Sequence, residues 1–105
     1  MEAELRQAWI DGLLREEQCR GRLRCGDAFC ALGVLASECV KRGFAEWDGF
    51  ELFYGRHWFL IIPDGLRASI GLAEDTHDKI VKLNDDAYKS FPEIAEWIKC
   101  HVPSD

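Results

Sequence analysis

Apolar residues in the first part of the chain recur at the spacing of an amphipathic helix. Between residues 3 and 15 they fall on one helical face, and charged residues occupy the other. The members of the apolar face are Leu5, Ala8, Trp9, Leu13 and Leu14. The pattern therefore predicts a first helix over residues 3–15.

A second helical pattern fills residues 26–43. Asp27 is the predicted N-cap, because its carboxylate can accept a hydrogen bond from a free backbone N–H of the first turn. A Lys-Arg-Gly sequence gives the helix a favourable end. Gly33 within it costs about 1 kcal/mol relative to alanine, so we expect another element to cross close to this residue. The apolar positions are Phe29, Leu32, Gly33, Ala36, Cys39 and Val40.

The middle of the chain predicts a β-hairpin. Two runs of β-prone residues, 50–54 and 57–62, flank the two-residue turn Gly55-Arg56. The second run is almost entirely apolar, which predicts a strand buried on both faces at the centre of a sheet.

The remaining segments predict short helices joined by polar connections. Residues 63–71 predict a short helix closed by glycine, residues 73–78 a polar loop, and residues 84–86 a turn. Ser90 and Glu93 have the spacing of a capping box, which starts a last helix. Its apolar positions are Phe91, Ile94, Ala95, Trp97 and Ile98.

These elements predict an α+β fold in a single compact domain, residues 1–105. Three main helices and one short helix would pack on a small, mostly antiparallel sheet built around the 50–62 hairpin. We expect Trp9, Trp58 and Trp97 in the core, because each lies within an apolar pattern.

The composition is that of an ordinary globular protein, with 48% hydrophobic and 30% charged residues. The N-terminus lacks the features of a signal peptide, and no apolar run reaches the length of about 20 residues that spans a bilayer. We therefore expect a cytoplasmic protein with no membrane partner. His77 and His101 fall in polar surroundings and are expected to be solvated.

Five cysteines are an odd number without the spacing of a disulfide framework, so free thiols are expected. The gap between Cys19 and Cys25 exceeds that of the usual zinc-binding pair, which disfavours a zinc site formed with Cys30 and His57. No metal and no cofactor are expected.

The formal net charge of −6 opposes direct binding to nucleic acid, because such binding depends on neutralising phosphates. Residues 1–25 carry equal numbers of acidic and basic residues, so the excess negative charge lies beyond Cys25. An acidic surface suits a basic partner, although the same charge also serves solubility. Arg20, Arg22 and Arg24 alternate in sequence, which predicts a short strand with its arginines facing solvent, where they resist pairing with other chains. A nucleic-acid regulator using these arginines is opposed by the net charge.

Several segments together resemble a group of small, uncharacterised proteins encoded by bacteriophages and prophages. The shared features are a Trp-containing first helix and the runs Phe29-Cys-Ala-Leu-Gly-Val-Leu35, Ile62-Pro-Asp-Gly-Leu-Arg-Ala-Ser-Ile-Gly-Leu72, Leu83-Asn-Asp85 and Ser90-Phe-Pro-Glu-Ile-Ala-Glu-Trp-Ile98. The chain departs from this group at Ala31, where a second cysteine is usual, and residues 44–61 match none of its features. The resemblance implies a phage or prophage origin but brings no established activity.

The function expected from these features is that of a phage-derived accessory protein that binds and inhibits or redirects a host protein. Anti-defence inhibitors, including anti-CRISPR proteins, have this size and are often acidic. The predicted partner is a host protein with a basic surface or groove. Trp47 is either a binding residue exposed within an acidic rim or an aromatic residue folded onto the sheet. The candidate partner-binding residues are Glu46, Trp47, Asp48, Glu51, Glu74, Asp75 and Asp78.

An alternative is a small papain-like cysteine hydrolase. Cys30 in a first helical turn, His57 on a strand and Asn84 or Asp85 after them follow the Cys–His–Asn order of such enzymes. Against this, the apolar neighbours of Cys30 predict a buried, unreactive thiol, and Asn84 and Asp85 are also typical of turns that cap backbone groups.

Overall fold

Four helices of eight to eleven residues are the longest elements of the computed structural model, which describes all 105 residues. The predicted first and last helices and the predicted short helix are confirmed, with slightly different ends. Leu14, predicted on the apolar face of the first helix, follows the end of that helix instead and is 57% exposed. In chain order the helices are α1 (Ala3–Leu13), α2 (Ala31–Lys41), α3 (Asp64–Ser69), α4 (Glu74–Val81) and α5 (Phe91–His101).

Helix α2 lies at the centre of the core, and eight of its residues are buried. Helices α1 and α4 pack against it, and α5 packs against α1. Gly33 allows the close approach expected from the sequence, because a Cβ at this position would overlap the backbone carbonyl of Leu23. Trp9 is fully buried, and its indole N–H donates to the carbonyl of Ala31 at 2.9 Å. The first turn of α2 is thus packed closely against Leu23 and hydrogen-bonded to α1.

The start of α2 differs from the prediction. Residues 24–29 form a small antiparallel hairpin of β1 (Arg24–Cys25) and β2 (Ala28–Phe29), so Asp27 lies in its turn and does not cap the helix. Cys30 is the N-cap instead. The predicted strand of alternating arginines is wrong except at Arg24, because the preceding residues follow an irregular path.

A three-stranded antiparallel sheet contains β3 (Glu46–Asp48), β4 (Glu51–Tyr54) and β5 (His57–Phe59), in the order β3-β4-β5. The predicted hairpin is confirmed as β4 and β5. The predicted central, buried position of the second strand is wrong, because β3 pairs with the other edge of β4 and leaves β5 outermost. Trp58 is consequently 55% exposed and does not belong to the core.

Two polar segments of the sequence are helical rather than looped. The predicted loop over residues 73–78 is wrong, because α4 begins at Glu74 and buries a narrow stripe formed by His77 and Ile80. His77, expected to be solvated, is therefore buried. A π-helical turn, Lys82–Asp86, continues directly from α4 and contains Asn84.

The last helix begins as the sequence predicts. Ser90 and Glu93 form a complete capping box at the start of α5. Trp97 packs against the core while remaining partly exposed, and His101 is exposed and stacks on its ring. The whole is a mixed α+β domain with small antiparallel sheets.

Candidate functional site

The thiol of Cys30 is buried at the N-terminus of α2. Its Sγ accepts a hydrogen bond from the backbone N–H of Gly33 at 3.3 Å, which is the contact an N-cap side chain makes. Burial raises the pKa of the Cys30 thiol to about 11, although the backbone contact with Gly33 acts in the opposite direction. The desolvation of the thiolate therefore outweighs the helix N-terminus, and the thiol is protonated at neutral pH.

The structure does not assemble a catalytic triad around Cys30. A small pocket of about 70 Å³ next to the thiol is lined mainly by apolar residues and contains no histidine. His57 is exposed on the edge strand β5, where it pairs with Tyr54 and its ring lies near Phe59. The geometry gives the cysteine-hydrolase hypothesis no support.

Asn84 is a buried structural residue that joins three segments. Its Oδ1 accepts from the backbone N–H of Ala31, in the first turn of α2, at 3.2 Å and from the side chain of Gln18 at 2.9 Å. Its Nδ2 donates to the carbonyl of Cys19 at 3.0 Å and to the carboxylate of Asp85 at 2.8 Å. All its side-chain hydrogen-bonding groups are occupied, so Asn84 binds the chain itself rather than a substrate.

Two of the five cysteines are not free. Cys19 and Cys25 form a disulfide bond, which corrects the expectation of free thiols at these positions. The bond closes the loop that contains the three alternating arginines. Cys30 and Cys39 are free and buried, whereas Cys100 is free and exposed.

The solvent-facing side of the three-stranded sheet combines aromatic and acidic side chains. Cross-strand pairing aligns Glu46 with Phe53 and Phe53 with Trp58, and it aligns Asp48 with Glu51. Because side chains alternate between the faces of a strand, these five residues share one face, which we call the outer sheet face.

An aromatic pair lies within the outer sheet face. The rings of Phe53 and Trp58 are 5.0 Å apart, and the indole N–H of Trp58 donates to Asp48 at 2.7 Å. None of the three carboxylates, those of Glu46, Asp48 and Glu51, forms a salt bridge. Their negative charge is therefore not neutralised within the protein.

Trp47 lies on the opposite side of the sheet. It pairs with Leu52 and packs against the core, with its ring 5.9 Å from that of Phe29. Its indole N–H is buried without a hydrogen-bond partner. Of the two interpretations of Trp47, the structure favours the aromatic residue folded onto the sheet, and the exposed tryptophan within the acidic rim is Trp58.

The remaining candidate acids lie on α4. Glu74 and Asp75 are exposed in its first turn, where negative charge is favoured by the helix dipole. Asp78 is exposed and contacts the imidazole of His77, with Oδ1 and Nδ1 3.1 Å apart. Helix α4 and strand β3 both pack against α2, but they are separate elements of the fold.

The three arginines lie within the segment that the Cys19–Cys25 disulfide closes, with Arg24 on strand β1. Arg20 and Arg22 are exposed as predicted, whereas Arg24 is partly buried. None of them forms a salt bridge with a carboxylate.

No protein-family model, curated protein or solved structure matches this chain. None of its helices is both long enough and apolar enough to cross a membrane.

The outer sheet face could have been found only in part from the sequence. The alternation of polar and apolar residues at Glu46-Trp47-Asp48 is the period of a half-buried strand. A strand at these residues pairs with the first strand of the hairpin, β4, and leaves the second strand, β5, at the exposed edge of the sheet. The run of apolar residues in 57–62 concealed that exposure, because such a run is usually typical of a buried strand.

Proposed function

We propose that the protein is a non-enzymatic binding protein that attaches to a basic surface of a partner protein through its outer sheet face. The observation that carries this proposal is the exposed Trp58 ring, held over Phe53 and surrounded by three carboxylates that have no cationic partner in the chain.

The aromatic pair supplies the contact area in this proposal. Tryptophan is enriched among the residues that carry most of the energy of a protein interface. The hydrogen bond to Asp48 fixes one end of the Trp58 indole, so less conformational entropy is lost when the ring is covered.

The carboxylates supply charge complementarity. Glu46 and Glu51 lie beside the aromatic pair and make no side-chain hydrogen bond or salt bridge with the rest of the chain. A partner with lysine or arginine around an apolar depression would meet both kinds of group at once. Such pairing accelerates association and weakens as salt is added.

The nature of the partner follows from the resemblance to phage and prophage proteins. We infer a host protein in the bacterial cytoplasm, and an anti-defence role as the specific case. A host nuclease or effector whose groove binds nucleic acid has the basic surface that the outer sheet face requires. An anti-CRISPR-like inhibitor would act by occupying such a groove.

The acids of α4 are assigned a weaker role. Glu74, Asp75 and Asp78 add to the negative field of the molecule, which steers association over longer distances. They lie on another element and are expected outside the contact itself.

Two charge reversals of equal size test this assignment. The double variant Glu46→Lys/Glu51→Lys alters the outer sheet face, whereas Glu74→Lys/Asp75→Lys changes the net charge by the same amount on α4. Each tagged variant and the wild type are used for quantitative capture from bacterial lysate at low and high salt, after circular dichroism has shown that they are folded.

We expect a stoichiometric partner that salt releases from the wild type. The sheet-face variant should capture it at least tenfold less well, and the α4 variant should differ from the wild type by less than threefold. Equal loss in both variants would contradict a contact at the sheet face, and unchanged capture by both would contradict the electrostatic part of the proposal.

A further inference from the structure

The loop from Cys19 to Cys25 concentrates positive charge in an otherwise acidic protein. Arg20, Arg22 and Arg24 alternate along it, and none is neutralised by a carboxylate. Asp85, which contacts this loop, accepts from the backbone N–H of Gly21 at 3.1 Å and makes no ion pair with the arginines. The positive charge of this loop is therefore available to bind an anion.

Each of the three guanidinium groups lies over an aromatic ring. Arg20 is 5.2 Å from the centre of the Tyr88 ring, and Arg22 is 4.9 Å from that of Phe50. Arg24 is 5.5 Å from the centre of the Trp47 ring. As whole residues, Tyr88 and Phe50 are 70% and 45% exposed. Both therefore retain accessible surface beside an arginine.

The loop is held in place rather than free to adapt. The Cys19–Cys25 disulfide ties its ends together. Nε of Arg20 donates to the carbonyl of Asn84 at 2.9 Å, and Arg24 donates to the carbonyls of Gly26 at 2.9 Å and Gly49 at 3.3 Å. Only Arg22 has no hydrogen bond to the protein, so all the N–H donors of its guanidinium face solvent or a ligand.

A pocket opens beside this free guanidinium. It has a volume of about 260 Å³. Its lining residues are Arg22, Arg24, Cys25, Gly26, Gly49 and Phe50. The pocket thus joins two arginines to one wall of exposed aromatic surface.

We propose that this pocket binds a nucleotide unit, with the phosphate on the Arg22 guanidinium and the planar base on the exposed part of the Phe50 ring. Arginine forks match phosphate oxygens in geometry, and aromatic rings beside arginines are the platforms on which single-stranded nucleic acids stack. Arg20 and Tyr88 form a second arginine–aromatic pair, in which Arg20 precedes Arg22 by two residues in the loop.

The net charge of −6 does not exclude this site. It opposes a protein that follows many phosphates of a duplex. Charges more than about 8–10 Å apart are largely screened at physiological salt, so one or two phosphates respond mainly to nearby charges. These are the three arginines of the loop, together with Asp85 and the carboxylates of Asp48 and Glu51 beside Phe50. The site adjoins the outer sheet face, because Phe50 lies between Asp48 and Glu51 in the turn from β3 to β4. It is tested with different probes and different variants, so it can fail while the proposed function holds, and the reverse.

The test measures binding of two probes to the intact, disulfide-bonded protein over a series of salt concentrations that includes physiological ionic strength. One probe is a fluorescein-labelled single-stranded oligothymidylate, followed by anisotropy, and the other is AMP, followed by chemical-shift changes. The variants are Arg22→Ala and Phe50→Ala. Arg56→Gly is the charge-matched control, because Arg56 lies in an exposed turn with a positive φ of 71° that glycine accepts.

We expect Arg22→Ala and Phe50→Ala each to weaken binding about tenfold or more, and Arg56→Gly to change it less than twofold. If AMP and the oligonucleotide both bind and both respond to the variants in this way, the ligand recognised is a single nucleotide. If only the oligonucleotide binds, the second arginine–aromatic pair is also needed, and the ligand is single-stranded nucleic acid. For the oligothymidylate, Arg22→Ala should make the plot of log binding constant against log salt concentration less steep, by about 0.7 in slope. Absence of binding by both probes would overturn the proposal, and so would equal weakening by Arg22→Ala and Arg56→Gly.

Discussion

The indole of Trp58 and the carboxylate of Asp48 are joined across the three-stranded sheet by a hydrogen bond of 2.7 Å. Trp58 lies on β5 and Asp48 on β3, so the contact passes over the intervening strand β4 and its Phe53. A half-exposed tryptophan on an edge strand is in this way given a fixed orientation. The relationship links the acidic and aromatic parts of the outer sheet face into one surface.

Replacement of Asn84 should destabilise the fold strongly. Asn84→Ala leaves the buried N–H of Ala31 and the carbonyl of Cys19 without their partner, and each unsatisfied buried group costs about 1–3 kcal/mol. We expect the free energy of unfolding in urea to fall by about 3 kcal/mol. Asp86→Ala, an exposed neighbour in the same π-helical turn, should change it by less than about 0.5 kcal/mol. Similar values for the two variants would show that Asn84 does not hold the segments together.

Gly33 should not tolerate alanine despite lying in a helix. Alanine has the better helix propensity by about 1 kcal/mol, but its Cβ would overlap the carbonyl of Leu23, which is backbone and cannot rotate away. Gly33→Ala should therefore lower the free energy of unfolding by about 2 kcal/mol or more. Gly65→Ala is the matched control, because its Cβ would lie 3.3 Å from the side chain of Tyr54, which can adjust. A gain in stability for Gly33→Ala would refute the close approach.

Loss of the disulfide should destabilise the protein moderately. The bond between Cys19 and Cys25 has a sequence separation of 6, and closing so short a loop in the unfolded chain is worth about 2 kcal/mol in the chain-entropy model. Cys19→Ser/Cys25→Ser should lower the free energy of unfolding by about that amount, and a reducing agent should do the same to the wild type. Cys100→Ser, at an exposed free cysteine, should have no such effect. A wild type that is equally stable with and without reductant would count against a stabilising bond.

The buried thiols make stability depend on pH in alkaline solution. Burial raises the pKa values of Cys30 and Cys39 from 9.0 to about 11. Well below pH 9 both thiols are protonated in the folded and unfolded states. Between about pH 9 and 11 the unfolded chain loses these protons while the folded protein keeps them, so stability falls as pH rises, by up to about 1.4 kcal/mol per pH unit for each thiol.

Comparison of variants isolates this effect from other groups that titrate in the same range. Cys39→Ala should show a shallower fall in stability over this pH window than the wild type, whatever its stability at pH 7. Iodoacetamide at pH 8 should modify the exposed Cys100 well before Cys30 or Cys39. Identical dependence of stability on pH in Cys39→Ala and the wild type, or rapid labelling of Cys30, would contradict burial of these thiols.

The parts of the fold that the sequence predicted are those governed by local patterns. The apolar faces of α1 and α5, the Ser90–Glu93 capping box and the close approach at Gly33 each depend on neighbours within a few residues or on a single steric requirement. Cys39 and Trp9 also lie in the core, as their helical positions indicate.

The errors arise where pairing with a second segment, which the pattern of the first does not reveal, decides the outcome. Trp58 is exposed because β3 occupies the other edge of β4, which the apolar run around Trp58 does not reveal. Cys30 replaces Asp27 as N-cap because a two-stranded hairpin takes up the residues between them. The Cys19–Cys25 bond depends on the path of the intervening loop, and spacing alone does not determine that path.

The candidate site shows the same division. The acidic character of Glu46, Asp48 and Glu51 was evident in the sequence, but the aromatic residue they surround was not. Side-chain alternation would have given the correct face only once strand β3 and its register with β4 were known. The arginine–aromatic pairs join residues far apart in the chain, such as Arg20 and Tyr88, and no local pattern predicts them.

The most direct test of binding through the outer sheet face compares two variants, Trp58→Ala and its control Phe44→Ala, in quantitative capture from bacterial lysate. Both remove one exposed aromatic side chain, at residues that are 55% and 50% exposed, but only Trp58 lies on the outer sheet face. We predict that wild type and Phe44→Ala retain the same stoichiometric partner, whereas Trp58→Ala loses it by at least tenfold. Retention of that partner by Trp58→Ala at the level of the wild type would contradict the proposed binding surface.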